Sequence, residues 1–397
     1  MKRQFGFSLV ELMVAITLGL LLTGAVISVF IGSRTAYQAT AGVGDMADSG
    51  RFALNLIGES VRSAGNIACN SAMTATSEPT GFVPGFINGY AQNGVPGQGG
   101  IAGFESNGTT PPAAIVLPAN PAVGAANNWT PNLDPGMTGA IPAGQPGQPV
   151  QGSDVLVVRS SVARVAPVYT TLDVAPGAAT LTVTPLPVAI NGGGYAAVSD
   201  CTKSVIFQLA GGVGLGATAV NLTAGLPGVG FSAGAVVAPL TTTVYYIGTG
   251  SDGDASLFRI EQVNGGPAFV PQPEELVPDV ENMQVLYGVD SNPPTQTAAA
   301  YVTADQVGAL NVVSIQVALL VASPPATKLV PVPPAFNLLG TAVTVPGDNR
   351  SRQVFYATIN VRDAVNCCPQ EPRCDRPTHA QRARASRVRC CTSRSSC

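Results

Sequence analysis

One carboxylate stands inside an otherwise uncharged run of membrane length. The chain opens "MKRQFGFSLVELMVAITLGLLLTGAVISVFIGS", in which Lys2 and Arg3 precede Gly6 and Phe7, and Glu11 follows. A carboxylate deep in lipid costs ~2.5–3.5 kcal/mol on insertion scales, so Glu11 is a functional candidate unless it sits at the interface. Cleavage between Gly6 and Phe7 would create a new α-amino group at Phe7. Phe7 and Glu11 are then i and i+4, neighbours on one helix face. In low dielectric the positive terminus and the carboxylate compensate each other, within one subunit or between adjacent ones. The other groups with chemistry to offer are cysteines. Only Cys69 and Cys201 lie in the body of the chain, and six more lie between Cys367 and Cys397.

The element that must position Glu11 is a helix. Leu12 to Ile31 is twenty residues without a charge, and a helix of that length spans ~30 Å, about one bilayer core. Lys2 and Arg3 place the N-terminus in the cytoplasm and the rest outside. Three readings compete. A cleaved secretory signal calls for a shorter apolar region and a better small-residue site than Gly32-Ser33. A plain anchor fits the length and leaves Glu11 unexplained. Cleavage after Gly6 accounts for the whole arrangement.

The stretch "GFSLVELMVAITLGLLL" resembles the class III signal of type IV pilins and pseudopilins. The resemblance implies that a prepilin peptidase cuts after Gly6 and methylates Phe7, and that Glu11 helps dock each subunit into the growing fibre. One departure is visible: many major pilins carry a proline in mid-helix, where this chain has Ser28, and Gly19 and Gly24 are the alternative sources of flexibility.

Past the membrane, "MADSGRFALNLIGESVRSA" (46–64) places Met46, Ala53, Ile57 and Ala64, with Leu54 and Val61 beside them, on one stripe. The helix therefore continues, with Gly42 and Gly44 as places for a kink or local melting and Gly65-Asn66 as its stop. Residues 76–153 hold 15 Gly and 12 Pro among 78 and show no period, which reads as an irregular insertion with short extended pieces. Trp129 within it reads as a packing anchor. Strands follow: 154–161, 180–185, 204–210, 219–223, 243–248, 256–263, 280–290, 312–323 and 352–363, rich in β-branched and aromatic residues and separated by turn residues. The turn Gly248 to Ala255 should set Tyr246 and Phe258 on facing strands. The expected fold is α+β, a long N-terminal pilin-type helix followed by a mainly antiparallel β-sheet head. The corresponding division is a leader (1–6), a transmembrane half-helix (7–31), an amphipathic half-helix (32–65), a Gly/Pro-rich insertion (66–153), a β-rich head (154–362) and a tail (363–397).

The order of "GRFALNLIGESVRSAGN", "DVLVVR", "VYYIG", "SLFR", "ELVPDVENMQVLYGVD", "VVSIQVALLV" and "RQVFYATINVR" is similar to that of the PilW family of minor pilins. This resemblance spans residues 1 to about 363. It implies a role in priming type IV pilus assembly, with links to twitching motility, adhesion and DNA uptake. The partners implied are other minor pilins, the major pilin, the prepilin peptidase and the inner-membrane assembly platform. The subunit would sit in the inner membrane before assembly and in the pilus after it. The alternatives in view are a tip adhesin, a DNA- or surface-binding pilin, and a type II secretion pseudopilin.

Composition agrees with an exported structural protein: 397 residues, 11% charged, 46% hydrophobic, with 45 Gly and 33 Pro. In an oxidising compartment Cys69 and Cys201 permit one disulfide tying the helix exit to the sheet, the alternative being two buried thiols. Residues 362–397 hold 8 Arg against 3 acids and contain C-C-x5-C twice. A disordered or frame-shifted end, a thiol or zinc module, and a basic DNA-binding arm are the readings of this tail. No phosphate-binding loop, nucleophile elbow or zinc-protease motif occurs. The single histidine, His379, lies in the tail, which leaves no His-based triad for the body. No enzyme activity, cofactor or metal is expected. "GSDGDASL" (250–257) reads as an acidic hairpin turn rather than a calcium loop.

Overall fold

A computed structural model describes residues 9–66, 75–77, 100–133, 141, 144–161, 168–187, 189–190, 194–200, 203–226, 228–263, 272–290, 297–308, 310–324, 335–348 and 350–361. One helix, Leu9–Arg62, dominates the N-terminal part. Its 54 residues extend ~81 Å at 1.5 Å per residue. It runs unbroken through Gly42 and Gly44, so the local melting those glycines suggested does not occur; Gly42 is instead buried. The stop is where the sequence put it. Ser63 and Ala64 tighten the last turn by bonding to Ser60 and Val61 carbonyls, and Gly65 turns the chain with φ +79°. The Gly65 N–H then donates to the Arg159 carbonyl at 2.9 Å, which fixes the helix exit to a strand.

The head is built from two main sheets. The first centres on Val236–Thr249. Its later residues pair antiparallel with Val155–Ser161 on one side and with Ala255–Val263 on the other. Ile101–Ser106 adds to Val155–Ser161, and Pro273–Pro278 adds to Ala255–Val263. The turn joining the central hairpin is the acidic one, closed by Gly250 N–H donating to Asp254 O, and it brings Tyr246 opposite Phe258 with ring centroids 5.8 Å apart. The second sheet is antiparallel, in the order Ala298–Val302, Val280–Asp290, Val312–Ala322, Arg352–Asn360. Two short parallel pairings, Ala75–Ser77 with Ser204–Gln208 and Ala113–Val116 with Thr341–Thr344, are the exceptions to the antiparallel pattern.

Alternation along the strands of the second sheet decides what each face covers. Ile315, Val317, Leu319 and Val321, with Met283, Val285 and Tyr287, share one core with the helix residues Met46, Ala53, Ile57 and Val61. Each such aliphatic side chain withdrawn from water contributes ~1.5–3 kcal/mol. Ala318 and Leu320, on the opposite face, pack on Leu117, Leu338 and Val343. The head is thus layered, helix on sheet on a small sheet made by Ala113–Val116, Thr341–Thr344 and Phe336–Leu338.

The Gly/Pro-rich stretch supplies part of this head. Ile101–Ser106 and Trp129–Thr130 join the first sheet. Trp129 is 1% exposed, packs among Phe104, Leu133 and Val155, and donates its indole N–H to Ser153 O at 2.8 Å.

Candidate functional site

The helix divides into two halves of opposite character. Every described residue from Leu9 to Gln38 is exposed. From residue 39 on, buried positions Ala39, Gly42, Met46, Gly50, Ala53, Ile57, Val61 and Ala64 follow at steps of three and four, with Gly58 buried beside Ile57, a seam on one face of a 3.6-residue helix. The same helix therefore presents an all-round apolar rod to its surroundings and, further on, a narrow stripe to its own head. Apolar all-round helices are stable in lipid or among other helices, not in water.

Within the exposed half the hydroxyls of Thr17, Thr23 and Ser28 are satisfied internally. The Thr17 hydroxyl donates to Met13 O and Val14 O, Thr23 to Gly19 O at 2.8 Å, and Ser28 to Ala25 O at 2.8 Å. Such back-bonding removes the cost of burying a hydroxyl in hydrocarbon. Glu11, in the first described turn, is the only charged residue between Leu9 and Ile31. It has no such local solution, which leaves it as the group that must find a partner outside its own helix turn. Gly6 and Phe7 lie outside the described residues.

The packed half is held close by small residues. A Cβ at Gly50 would meet the Phe355 ring at 2.4 Å, so the helix can lie on the Arg352–Asn360 strand only because position 50 has no side chain. At the far end the Ser60 hydroxyl shares a 2.7 Å hydrogen bond with the Tyr245 phenol. Burial raises the Tyr245 pKa, with the Ser60 bond opposing, so the phenol stays neutral.

Two charged clusters brace the head beneath the helix. In the first, Arg352 bonds Glu281 through Nε and Nη2 (2.7 and 2.9 Å) and Asp348 through Nη1 and Nη2 (2.7 and 2.6 Å). Arg350 bonds Asp254, Asp279 and the Ser323 carbonyl. Burial disfavours the Arg352 charge, but Asp348 and Glu281 outweigh it and raise its pKa, while the Arg352 bond lowers that of Asp348. These contacts tie the start of the last strand to the acidic turn and to Val280–Asp290. A cavity of about 430 Å³ opens beside them. Each arginine nitrogen already points at a carboxylate or carbonyl, so the arrangement acts as a clamp.

The second cluster is acidic. Asp154 accepts backbone N–H bonds from Ser106 (3.0 Å) and Val285 (2.9 Å), and so joins three strands of the two sheets. Glu105, 3% exposed, takes the Thr109 hydroxyl at 3.0 Å on one oxygen, and its other oxygen makes no hydrogen bond among the described residues. Burial pushes the Glu105 carboxyl up to about 7; the Thr109 bond opposes this and the Asp305 charge adds to it. Burial and the Glu105 charge hold Asp154 well above the usual range, against the two backbone bonds. Nothing in the sequence marked these acids. Their one signal is position, Asp154 directly before an all-apolar strand and Glu105 inside a short one.

The candidate disulfide, Cys69 with Cys201, and the tail from 363 onward lie outside the described residues. Among the described residues no cluster of three or more His, Cys, Asp or Glu could hold a metal.

A helix with one apolar, lipid-compatible half and one half packed on an antiparallel head defines a pilin-type subunit. Residues 1–27 match the prokaryotic N-terminal methylation motif, which marks an inner-membrane-anchored protein that later enters a pilus. Residues 244–363 match the family described as Type IV Pilus-assembly protein W, PilW. The two matches, one on the anchor and one on the head, liken the chain to the PilW-family pilins, a structural family rather than an enzymatic one. No curated protein and no solved structure matches the chain.

Proposed function

We propose that this chain is a minor pilin that takes part in priming and assembling a type IV pilus, and through the pilus in twitching motility and adhesion. In this reading residues 1–6 are a leader removed by the prepilin peptidase, and Phe7 becomes the methylated N-terminus. The Glu11 carboxylate then compensates the Phe7 amine, its own or that of a neighbouring subunit, as the helix leaves the membrane for the fibre. Residues up to 31 line the fibre core, residues 32–65 hold the head, and the head contacts the other minor pilins, the major pilin and the assembly platform.

The observation that carries this is the division of one continuous helix. Its first thirty described residues are all exposed and contain a single acid, and the next turns are locked to the head by a seam of small and aliphatic residues. A plain anchor needs the first property but not Glu11. The test is Glu11→Val. Removing the acid makes membrane residence easier, by ~2.5–3.5 kcal/mol if the acid is deep, so the variant should be inserted and processed normally yet be missing from sheared pili. Glu11→Val protein present in sheared pili at the unmutated level would remove the basis for the charge pair.

A further inference from the structure

The strand Thr180–Thr182 pairs antiparallel with Ala219–Asn221, Leu181 facing Val220. Residues 177–184 read GAATLTVT, and residues 216–223, 39 positions later, read GATAVNLT. The same shift carries the backbone hydrogen bonds of one stretch onto those of the other. Val183 N to Thr218 O (2.8 Å) becomes Leu222 N to Ala179 O (2.9 Å). Thr184 N to Tyr169 O (2.8 Å) becomes Thr223 N to Gln208 O (2.9 Å), and Thr171 N to Thr182 O (2.9 Å) becomes Ala210 N to Asn221 O (3.0 Å). One extra residue in the second stretch then shifts the partner of Leu186 to Leu226: Gly216 N to Leu186 O (2.9 Å) answers Gly177 N to Leu226 O (2.8 Å). One more shifts the partner of Ile190 to Phe231, so that the bridge Val174–Phe231 answers the bridge Val213–Ile190. The turn glycines agree as well, Gly177 with φ +81° and Gly216 with φ +77°. This left-handed conformation is one that glycine adopts without steric cost.

Bonds that cross from the first stretch to the second are answered by bonds that cross back, which is the relation of a two-fold axis. The outer strands obey it too. Val198 faces Val237 and Ala196 faces Pro239, and the shift of 41 interchanges the two pairs. The apolar side chains of both stretches fill one cluster whose buried members all lie between Val168 and Val237. The chain enters along Val155–Ser161 and leaves along Val236–Thr249, where Ser161 stands directly opposite Leu240, so the stretch hangs from a closed two-stranded neck, with the short strand Ala75–Ser77 added to its edge at Ser204–Gln208. It also lies wholly outside the segment that matches the PilW family, which begins at 244.

We infer that residues 168–239 are an internal duplication, two copies of one β-unit closed on each other about a pseudo-two-fold axis, inserted into the pilin head as a self-contained module. A shared turn type would repeat one or two hydrogen bonds. It would not repeat the register, the cross-over sense and the core positions together. The module has its own core and a paired neck, so it is an appendage carried by the subunit and not part of the framework that holds the helix. The exposed surface of this unit is then free to vary without disturbing helix packing.

The test uses the full chain in detergent and reads hydrogen exchange segment by segment, which makes it independent of any pilus phenotype. In the first variant residues 214–223 (GLGATAVNLT) are replaced by the sequence of residues 175–184 (APGAATLTVT). Duplication predicts that amide protection across 168–239 survives, because Val and Leu merely exchange places in a shared core. A control with the same ten residues reordered, so that apolar positions shift by one, flips them out of the core and should lose protection in 168–239 only. In the second variant residues 162–239 are replaced by Asn-Gly, a two-residue hairpin turn that joins the facing Ser161 and Leu240. Protection across 244–361 should remain. A transplant as damaging as the reordered control would overturn the duplication. Loss of protection across 244–361 in the control or in the deletion would overturn the self-contained module.

Discussion

Glu105 sets a pH dependence on the stability of the head. Its carboxyl is 3% exposed, accepts the Thr109 hydroxyl, and has Asp154 and Asp305 nearby with no cation in contact, so burial drives its pKa to about 7. In the unfolded chain the value is the ordinary 4.5. The folded state therefore binds the proton more tightly than the unfolded state, and stability must fall as pH rises through the interval between the two values. Below about pH 4.5 the contribution is absent as a penalty, and above about pH 7 it is fully present. At ~1.36 kcal/mol per unit, the interval corresponds to about 3 kcal/mol. Asp154, raised by the same burial, acts in the same direction. For roughly 300 folded residues with ~2.1 cal/mol/K of unfolding entropy each, 3 kcal/mol is about 5 °C in Tm. Glu105→Gln keeps the shape and the Thr109 acceptor but cannot ionise. Unfolding of the full chain in detergent, followed by circular dichroism from pH 5 to pH 8, should show Tm of the unmutated protein falling by about this amount, and E105Q should have a shallower slope, keeping the part due to Asp154, and be the more stable protein at pH 8. A flat profile for the unmutated chain, or an unchanged slope in E105Q, would refute the burial of an uncompensated acid at this position.

Other consequences are as specific. Gly50→Ala should destabilise by ~1–3 kcal/mol, because the Phe355 ring that a Cβ would strike is packed in the core. Gly44→Ala, with nothing within 4 Å, should instead stabilise by up to ~1 kcal/mol; equal effects in thermal unfolding would contradict the helix placement. Arg352→Ala removes both hydrogen bonds that Glu281 receives from Arg352 and leaves an empty slot under the last strand, and should cost ~3–5 kcal/mol in urea unfolding. Arg352→Lys should recover only part of this, since a single ammonium cannot bond both carboxylates in two-pronged fashion.

What could be read from the sequence followed the length and regularity of each signal. The helix seam was legible because Met46, Ala53, Ile57 and Ala64 repeat over five turns, and the strand 280–290 because Met283, Val285, Tyr287 and Val289 recur at every second position. Ile101–Ser106 hid in a Gly/Pro-rich stretch, since Gly103 breaks its pattern; that glycine is there because the Tyr287 hydroxyl occupies the space of a Cβ. Pro273–Pro278 reads as a loop by its prolines, which are tolerated because it pairs on one side only. Ala298–Val302 offers three alanines and little β propensity, and exists by pairing with Val280–Asp290. The duplication was present in the letters, as GAATLTVT and GATAVNLT, but two single-residue insertions blur its period. The charge clusters could not be read at all, because each depends on partners that lie 48 to 131 positions apart in the chain.

The central claim is that the exposed half-helix is a pilin anchor processed after Gly6. Mass spectrometry of the mature N-terminus tests it most directly. A chain beginning at an N-methylated Phe7 is the predicted result. A chain beginning at Met1 would leave a plain membrane anchor, and one beginning near residue 34 an ordinary secreted protein, and either would contradict the role assigned to Glu11.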